Sequence, residues 1–217
     1  KLQPSDSYMT LFHYVEPNDI MQGALGDCWL LAALSSIAEF PKYFQDKIFK
    51  TNKISENGKY DISLYDASIS DWITVTIDDR IPCNKKNRWF ETPRPLFAQP
   101  NENELYILLL EKAFAKVAGS YSKLSGGYPA LAWLTLTGCE ELEFWHKNKN
   151  LWEKRQIAIG KTKKDPFNFQ NMWLYGSHIK NNDEDLFNYM KNCDENNYLV
   201  GAAICGDVME ARRQDGL

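Results

Sequence analysis

Apolar residues occupy nearly every side of the segment "CWLLAALSSIAEF" at positions 28–40. A run of this length and composition predicts a helix buried in the core, and Pro41 ends that helix or opens the next turn. The segment that follows, "KYFQDKIF", predicts a short second helix. The first part of the chain is therefore expected to be helical and buried.

Two segments then alternate apolar and polar residues, "KYDISLYDAS" (59–68) and "DWITVTIDDRIP" (71–82). Both are rich in β-branched and aromatic residues, which predicts two strands and favours a hairpin. The clearest amphipathic helix follows in "NENELYILLLEKAFAKVAGSY" (101–121), with Gly119 at its end. A glycine-rich loop, "SGGYPA", comes after that helix.

The chain beyond Cys139 is more polar. We expect a loop over 147–170, then a helix in "DEDLFNYMKNC" and a buried strand in "YLVGAAICG". The order helix, strands, helix and further strands is typical of an α+β protein, with a change of subdomain near positions 138–139.

Composition limits the classes of function. The 217-residue chain has 44% hydrophobic and 13% aromatic residues, enough for one large core or two modest ones. Its net charge of -4 argues against a broad nucleic-acid surface, and "KTKK" (161–164) is interpreted as a solvated loop. No segment approaches the roughly 20 continuous apolar residues of a membrane span, and the N-terminus lacks the apolar core of a signal peptide. We expect neither a nucleic-acid partner nor a membrane span.

The five cysteines are an odd number, irregularly spaced, with no Cys-X-X-Cys pair. This spacing is typical of free thiols in a reducing compartment, so we expect a cytoplasmic protein. None of the three histidines lies near a cysteine at ligand spacing, which argues against a zinc site; they are His13, His146 and His178.

Cys28 is the candidate for chemistry because it begins the apolar helix, just after the turn from Gly23 to Gly26. A thiol at a helix N-terminus meets the positive end of the helix dipole and unpaired N–H groups, which favour the thiolate. The same N–H groups can receive a developing oxyanion, and the amide of Gln22 is a second donor. The alternative is a small buried residue before a core helix, since free cysteines are among the most buried residues. Spacing alone leaves both interpretations open.

The segment "QGALGDCWLLAALSSI" (22–37) resembles the nucleophile segment of the calpains, the calcium-dependent cysteine proteases. The similarity continues in "WITVTIDDRIP" and "ELYILLLEKAFAKVAGSYSKLSGG", and it resumes at "LVGAAI". The resemblance implies a papain-like cysteine protease core. Residues 1–138 are then expected to form a helical nucleophile subdomain, and residues 139–217 the beginning of a β-rich second subdomain that lacks the histidine and asparagine of the family.

The resemblance also assigns roles to single residues. Cys28 matches the nucleophile, and Gln22 matches the glutamine whose side chain completes the oxyanion hole. Trp29 matches a tryptophan that packs at the cleft, and Gly127 a glycine whose backbone binds an extended substrate. A glycine fits that role because a Cβ would block close backbone approach. We add Gly26, in the turn before the nucleophile, to the expected substrate-binding residues.

Calpains bind calcium in each core subdomain, and the resemblance places Asp19 and Glu104 at two acidic positions of the first site. Carboxylates are the hard oxygen ligands that calcium requires. Each residue also has a simpler explanation, because Asp19 suits a turn and Glu104 the first turn of a helix. Tyr14 stands where the family has a glycine, and Pro17 where it has the arginine that joins the subdomains. Calcium-driven closure of the cleft would therefore need other contacts.

A cysteine protease needs a histidine as base and an asparagine or aspartate to orient it. His178 follows Cys28 at a separation that suits a papain-like partner. In calpains, however, the base comes after the strand that "LVGAAI" resembles, whereas His178 precedes that segment and is expected at a loop or helix start. His146 and His13 have weaker contexts. We expect the chain to carry the nucleophile half of the site and to be inactive alone.

Three functions remain open from the sequence. The first is a calcium-regulated, calpain-like endopeptidase that cleaves proteins bound in an extended conformation, with regulatory domains or a subunit outside this chain. The second is a catalytically inactive module that binds peptides or proteins in the same cleft. The third, a thiol-dependent acyl transferase of papain-like fold, shares the Cys28 and Gln22 pair but leaves the "SGG" and "LLEKAF" matches unexplained.

Overall fold

A computed structural model describes residues 9–84, 93–100, 104–159, 167–169 and 172–203. Helices and antiparallel strands both occur along this part of the chain, so the predicted α+β content is confirmed. The "KTKK" segment, predicted to be a loop, lies outside the described residues.

Helix α1 (Cys28–Ala38) begins at the predicted residue and ends slightly earlier than predicted. Most of its side chains are buried because apolar residues cover nearly all of its sides. Of the two alternatives for Pro41, the one in which it opens the next element is confirmed. This element is a short helix, α2 (Pro41–Tyr43), which continues into a wide helical turn, Phe44–Ile48.

The predicted hairpin is confirmed. Strands β2 (Lys59–Asp66) and β3 (Asp71–Asp78) pair antiparallel along their whole length. Alternation puts Tyr60, Ile62 and Leu64 into the core, while Asp61 is only partly buried; Ser63 departs from the alternation and is buried as well.

A second, very short antiparallel pair precedes the two central helices. Strand β1 (Ile20–Met21) pairs with β4 (Gln99–Pro100). This pairing brings the segment before α1 against the segment before the second long helix, although the two segments are far apart in sequence.

Helix α3 (Tyr106–Ala118) ends as predicted, with Gly119 in the left-handed conformation at φ 96°. The expectation that Glu104 lies in its first turn is wrong. The helix begins two positions later because Glu104 forms an isolated bridge with Thr10, and the Leu105 N–H donates to the Thr10 carbonyl at 3.0 Å. This pairing holds the chain before the helix in an extended form.

Helix α4 (Pro129–Thr137) was missed by the sequence analysis, which left this segment without an element. Its signal was nevertheless present, because Pro129 occupies the first turn and Gly138 follows the end with φ 70°. Proline at the start and glycine just after the end are the usual punctuation of a helix. Positions 138–139, where a change of subdomain is predicted, directly follow the end of this helix.

The expected loop over 147–170 is wrong at 147–148 and 151–159, which belong to strands, whereas 149–150 and 167–169 lie outside helices and strands as predicted. Strands β5 (Glu143–Asn148), β6 (Leu151–Ile159) and β7 (Met172–Asn181) form one antiparallel sheet. Charged residues concealed the strands, because a charged side chain can also pack on aromatic rings of the sheet. Lys154 illustrates this, with its ammonium group in cation–π contact with the rings of Trp145 and Tyr189.

Helix α5 (Asp183–Glu195) forms where predicted, and the side chain of Asn182 caps it by accepting the Asp185 N–H at 2.9 Å. Its side chains are mostly exposed, although Cys193 is buried. Across the described residues, no helix is long and apolar enough to cross a lipid bilayer.

The buried strand expected in "YLVGAAICG" is not found in its described part, residues 198–203. These residues form no regular element, and most of them, including Tyr198 and Val200, are exposed. A strand needs a neighbouring strand to satisfy its backbone N–H and C=O groups, and none of the described strands pairs with this segment. The remainder of the predicted strand, 204–206, lies outside the described residues.

The main core lies between α1, α3 and the β2–β3 hairpin, and it includes Phe167 and Phe169. The ring of Phe169 packs on Trp29 and Phe114, with centroids 5.0 and 5.3 Å apart. Trp133 of α4 packs against this core and against a second, smaller cluster near the C-terminal sheet, which consists of Ala67, Ala130, Leu134, Leu142 and Ile157. Helix α4 therefore joins the two parts of the fold.

The loop before α4 rests directly on the beginning of α1. The Gly126 N–H donates to the Gly26 carbonyl at 2.8 Å. A Cβ at Gly127 would lie 2.5 Å from Cε2 of Trp29, and the Trp29 indole N–H donates to the Leu124 carbonyl at 2.8 Å. The loop and the indole are thus packed without space for another methyl group.

Gly127→Ala is expected to lower the free energy of unfolding by about 1–3 kcal/mol, because the added methyl group must displace the buried indole. The measurement is urea unfolding, and Gly26→Ala is the matched control. A Cβ at Gly26 meets only the Ser125 hydroxyl oxygen, at 3.0 Å, and that group lies at the end of a rotatable side chain. Equal unfolding midpoints for the two variants would contradict the packing described for Gly127.

Candidate active site

The turn before α1 is fixed by close backbone contact with residues 96 and 97. A Cβ at Gly23 would overlap the carbonyl oxygen of Phe97, so only glycine fits at this position. The Ala24 N–H donates to the Leu96 carbonyl at 3.1 Å. The path of the chain into α1 is therefore set by a segment that precedes the other long helix.

Cys28 is the first residue of α1, and its side chain is exposed. The alternative interpretation of Cys28 as a buried structural residue is therefore wrong. Asp27 precedes it as the N-cap residue, and the Asp27 carbonyl accepts the N–H groups of Leu30 and Leu31 at 2.9 and 3.1 Å. The Asp27 side chain does not cap the helix. The positive end of α1 thus faces the exposed thiol.

Gln22 is also exposed, and its side-chain amide donates to the Leu25 carbonyl at 2.6 Å. This bond folds the side chain back over its own turn. An amide NH2 group has two N–H bonds, so the second can still donate to another acceptor.

Three of the residues predicted to bind substrate are brought together next to Cys28. Trp29 is buried, and Gly127 packs directly on its indole ring. The Gly26 carbonyl accepts a hydrogen bond from the loop that contains Gly127. Trp29 therefore shapes the site from beneath, because little of its ring is accessible to a ligand.

Asp19 and Glu104, predicted as a pair, also lie together although they are remote in sequence. They are buried, with 8% and 4% of their surface exposed. One Asp19 oxygen accepts the Glu16 N–H at 2.7 Å and the Tyr106 hydroxyl at 3.3 Å. One Glu104 oxygen accepts the His13 N–H, whereas the other is buried and has no hydrogen-bond partner among the described residues.

The surroundings of this pair are unfavourable to two negative charges. Burial, together with the nearby Asp19 carboxylate, raises the pKa of Glu104 to about 7. A divalent cation would relieve this repulsion and use the unpartnered oxygen. No group of three or more acidic, histidine or cysteine side chains suited to a metal occurs in the described part of the chain. A bound ion would need backbone carbonyls and water in addition.

A second pair of buried carboxyl groups, Asp27 and Glu111, was not predicted from the sequence. They are 0% and 2% exposed. One Glu111 oxygen accepts the Ala98 N–H at 3.0 Å. Burial, followed by the interaction with Asp27, raises the pKa of Glu111 to about 8, and burial also raises the pKa of Asp27. The available signal was an acidic residue inside the apolar run "ILLLEKAFA".

The histidines lie in contexts that differ from one another. His178 is on strand β7, so the expectation of a loop or helix start is wrong, and its side chain is not among those described. His146 is on β5, exposed and stacked on Phe144 at 6.5 Å between ring centroids. His13 lies beside Glu104 and packs on Tyr14.

The chain matches the family model of the calpain family cysteine proteases over residues 3–217. It is 38% identical over 137 residues to the calpain-type cysteine protease DEK1 of Arabidopsis thaliana, covering 62% of this chain and 6% of that protein. It is 39% identical over 122 residues to calpain-13 of Rattus norvegicus, covering 55% of this chain and 17% of the relative. It is 26% identical over 201 residues to calpain-12 of Homo sapiens, covering 92% and 22%.

The chain thus spans less than a quarter of the length of each of these relatives. The family match, in contrast, covers nearly all of the chain, including the turn, α1 and the loop packed against it. On this evidence, the chain belongs to the calpain family of cysteine proteases.

Proposed function

We propose that this chain is the nucleophile-bearing part of a calcium-regulated cysteine endopeptidase that cleaves other proteins. The observation that carries the proposal is the exposed Cys28 at the first position of α1, with the side chain of its N-cap residue turned away from the helix amides. Membership of the calpain family supports the same reaction.

In the proposed reaction the Cys28 sulfur attacks the scissile carbonyl, which forms an S–C bond and a tetrahedral oxyanion. The first-turn amides of α1 and the second N–H of the Gln22 amide donate to that oxyanion. The C–N bond then breaks, the amine leaves with a proton, and water hydrolyses the thioester to release Cys28. A histidine base takes the thiol proton and gives it to the leaving amine.

We propose that this base is none of the three histidines of the chain. His13 lies beside a buried carboxyl pair and His146 stacks on an exposed strand, while the backbone of His178 belongs to β7. In this proposal the chain holds the nucleophile half of the site and is inactive alone. A catalytically inactive binding module is the alternative outcome of the test below.

The proposed substrates are proteins bound in an extended conformation. Gly26 and Gly127 are proposed to bind the substrate through their backbone atoms, since neither carries a side chain beside Cys28, and at Gly127 the space of a side chain is taken by the Trp29 indole. Regulatory domains or a subunit outside the chain complete the proposal. The described cysteines, which are Cys28, Cys83, Cys139 and Cys193, are all free thiols, and this supports a cytoplasmic location.

We further propose a papain-like division into subdomains 1–138 and 139–217. Helix α4 ends at Thr137, and the sheet of β5, β6 and β7 follows it with its own small cluster of buried residues. These features support a boundary near Gly138.

Asp19 and Glu104 are proposed to hold calcium through their carboxylate oxygens. The unpartnered buried Glu104 oxygen and the raised pKa of that carboxyl group support a cation at this position. Bound calcium would add a positive charge between these two carboxylates.

Cys28→Ser in the full-length protein is expected to abolish peptide cleavage, because the hydroxyl is a much weaker nucleophile at neutral pH. Gln22→Ala is expected to lower kcat by about 10²–10³, through loss of one oxyanion donor. The measurement is cleavage of a fluorogenic peptide across a range of calcium concentrations.

Two control variants should both retain cleavage: Cys139→Ser, which alters another exposed thiol, and His178→Ala. Cleavage by Cys28→Ser would exclude Cys28 as the nucleophile, and no cleavage by the unmodified protein at any calcium concentration would favour the binding module.

Asp19→Asn and Glu104→Gln are expected to weaken calcium binding about 10-fold or more, because each removes a charged ligand. Isothermal titration calorimetry measures the affinity, and Asp71→Asn, which alters an exposed aspartate, is the control. With calcium chelated, Glu104→Gln should raise the unfolding temperature, since the repulsion from Asp19 is removed. Unchanged calcium affinity in both variants would refute the site.

A further inference from the structure

Two carboxyl side chains lie on the buried side of the turn that carries Cys28, and the cysteine chemistry uses neither. Asp27 belongs to the N-cap of α1 and Glu111 to the middle of α3. If both are ionised, neither Asp27 oxygen has a hydrogen-bond donor among the described residues. Two such charges in the core, without a cation, would each lose their hydration with no compensation.

We propose that Glu111 is a positioning residue of this site: it carries a proton, donates it in a hydrogen bond to Asp27, and so holds the first turn of α1 and Cys28 in place. The role of Glu111 in positioning Cys28 rests on the proposed function. The hydrogen bond between the Glu111 carboxyl and the Asp27 carboxylate is independent of that function.

Glu111 binds the two segments that flank the turn, with one carboxyl oxygen for each segment. One oxygen accepts the Ala98 N–H, next to the Leu96 and Phe97 carbonyls that contact Ala24 and Gly23. The other, protonated, satisfies Asp27, whose backbone carbonyl accepts the first hydrogen bonds of α1. A single side chain therefore links the segment that shapes the turn to the residue that begins the helix.

The proton belongs on Glu111 rather than on Asp27. The interaction with Asp27 adds to burial in raising the pKa of Glu111, to about 8, whereas the hydrogen bond from Glu111 lowers the pKa of Asp27 against its burial. Asp27 also lies at a helix N-terminus, where a negative charge is favoured. At neutral pH the pair therefore carries one negative charge.

Tyr121 is a titratable group of a neighbouring element that interacts with Glu111. Tyr121, from the short helix Tyr121–Leu124, has a buried hydroxyl with no hydrogen-bond partner among the described residues. Burial and then Glu111 raise its pKa, so the phenol stays neutral. Asp78 of β3 forms an ion pair with Lys112. Strand β4 contributes no ionisable residue.

The shared proton predicts a definite pH dependence. Between the ordinary value of 4.5 for glutamate and about 8, the folded protein keeps a proton that the unfolded chain has released. Stability therefore falls as pH rises through this window, and each pH unit lowers the folding equilibrium constant by up to about tenfold. Above about pH 8 the second charge forms and opposes Asp27.

Glu111→Gln tests the proposal because the amide can keep both hydrogen bonds without a titrating proton. Its oxygen accepts from Ala98 and its NH2 group donates to Asp27. In the full-length protein, infrared spectroscopy at neutral pH should show a weaker C=O stretching band of protonated carboxylic acid for Glu111→Gln than for the unmodified protein, and the part of the band that remains is expected from Glu104, whose pKa is raised to about 7. The fall in stability between about pH 4.5 and 8 should also diminish relative to the unmodified protein. Glu141→Gln, an exposed glutamate, should change neither measurement.

Glu111→Leu supplies the contrasting result, since it leaves the Ala98 N–H and Asp27 without partners. Hydrogen exchange at the Leu30 and Leu31 amides should be faster in Glu111→Leu and unchanged in Glu111→Gln, because these amides report on the first turn of α1. If Glu111→Leu does not fold, the infrared spectrum and the pH dependence of stability of Glu111→Gln still test the proposal. An infrared band and a pH profile unaffected by Glu111→Gln would overturn the proposal. Neither arm uses cleavage, so a failure of the protease assignment would be recognised separately, through Cys28→Ser.

Discussion

The close approach of residues 96–98 to the turn at Gly23 determines how the rest of the site is arranged. Glycine is required because any Cβ would overlap the Phe97 carbonyl, and the Ala24 N–H then bonds to Leu96. The β1–β4 pair and the bond from Ala98 to Glu111 extend the same contact on either side. The entrance to α1 is thus held against the segment before α3, and the position of Cys28 follows from the packing of the two helices.

The same contact has an electrostatic consequence, because each of the two segments carries acidic residues into the interior. Asp19 meets Glu104, and Asp27 meets Glu111, so two like-charged pairs are buried within one small region. The pairs differ in what relieves the repulsion. Glu104 retains a buried oxygen without a donor among the described residues, which suits a cation, whereas Asp27 interacts with Glu111, a residue that can carry a proton. We regard the first pair as a ligand site and the second as a permanent part of the scaffold.

The sequence predicted the elements whose signals are local. The pattern of apolar positions predicted helices α1 and α5 and the β2–β3 hairpin. The apolar run that begins at Cys28 also predicted that this cysteine lies at the start of a helix. Elements whose signals depend on tertiary partners were missed or misplaced. On strand β6, the Lys154 ammonium group lies over an aromatic ring of the neighbouring strand. The segment 198–203 has no neighbouring strand among those described. Helix α3 begins later than predicted because Glu104 pairs with Thr10. The contact between Asp27 and Glu111 likewise exists only after the helices pack, so the acidic residue inside the apolar run of α3 signals a buried carboxyl group but not its partner.

The buried position of Asp27 also resolves a conflict at the start of α1. Aspartate is among the best N-cap residues, and its side chain ordinarily binds the first free amides of a helix, for about 0.5–2 kcal/mol of stability. In the proposed reaction the first-turn amides also donate to the oxyanion at Cys28. Because the buried Asp27 side chain makes no cap hydrogen bond, it does not compete for these amides, although the Leu30 N–H already donates to the Asp27 carbonyl. Forgoing the cap and burying a carboxylate both reduce stability, and a protonated Glu111 offsets part of that loss. A local rule of helix capping is thus broken where the chemistry needs free N–H groups, as is common at functional sites.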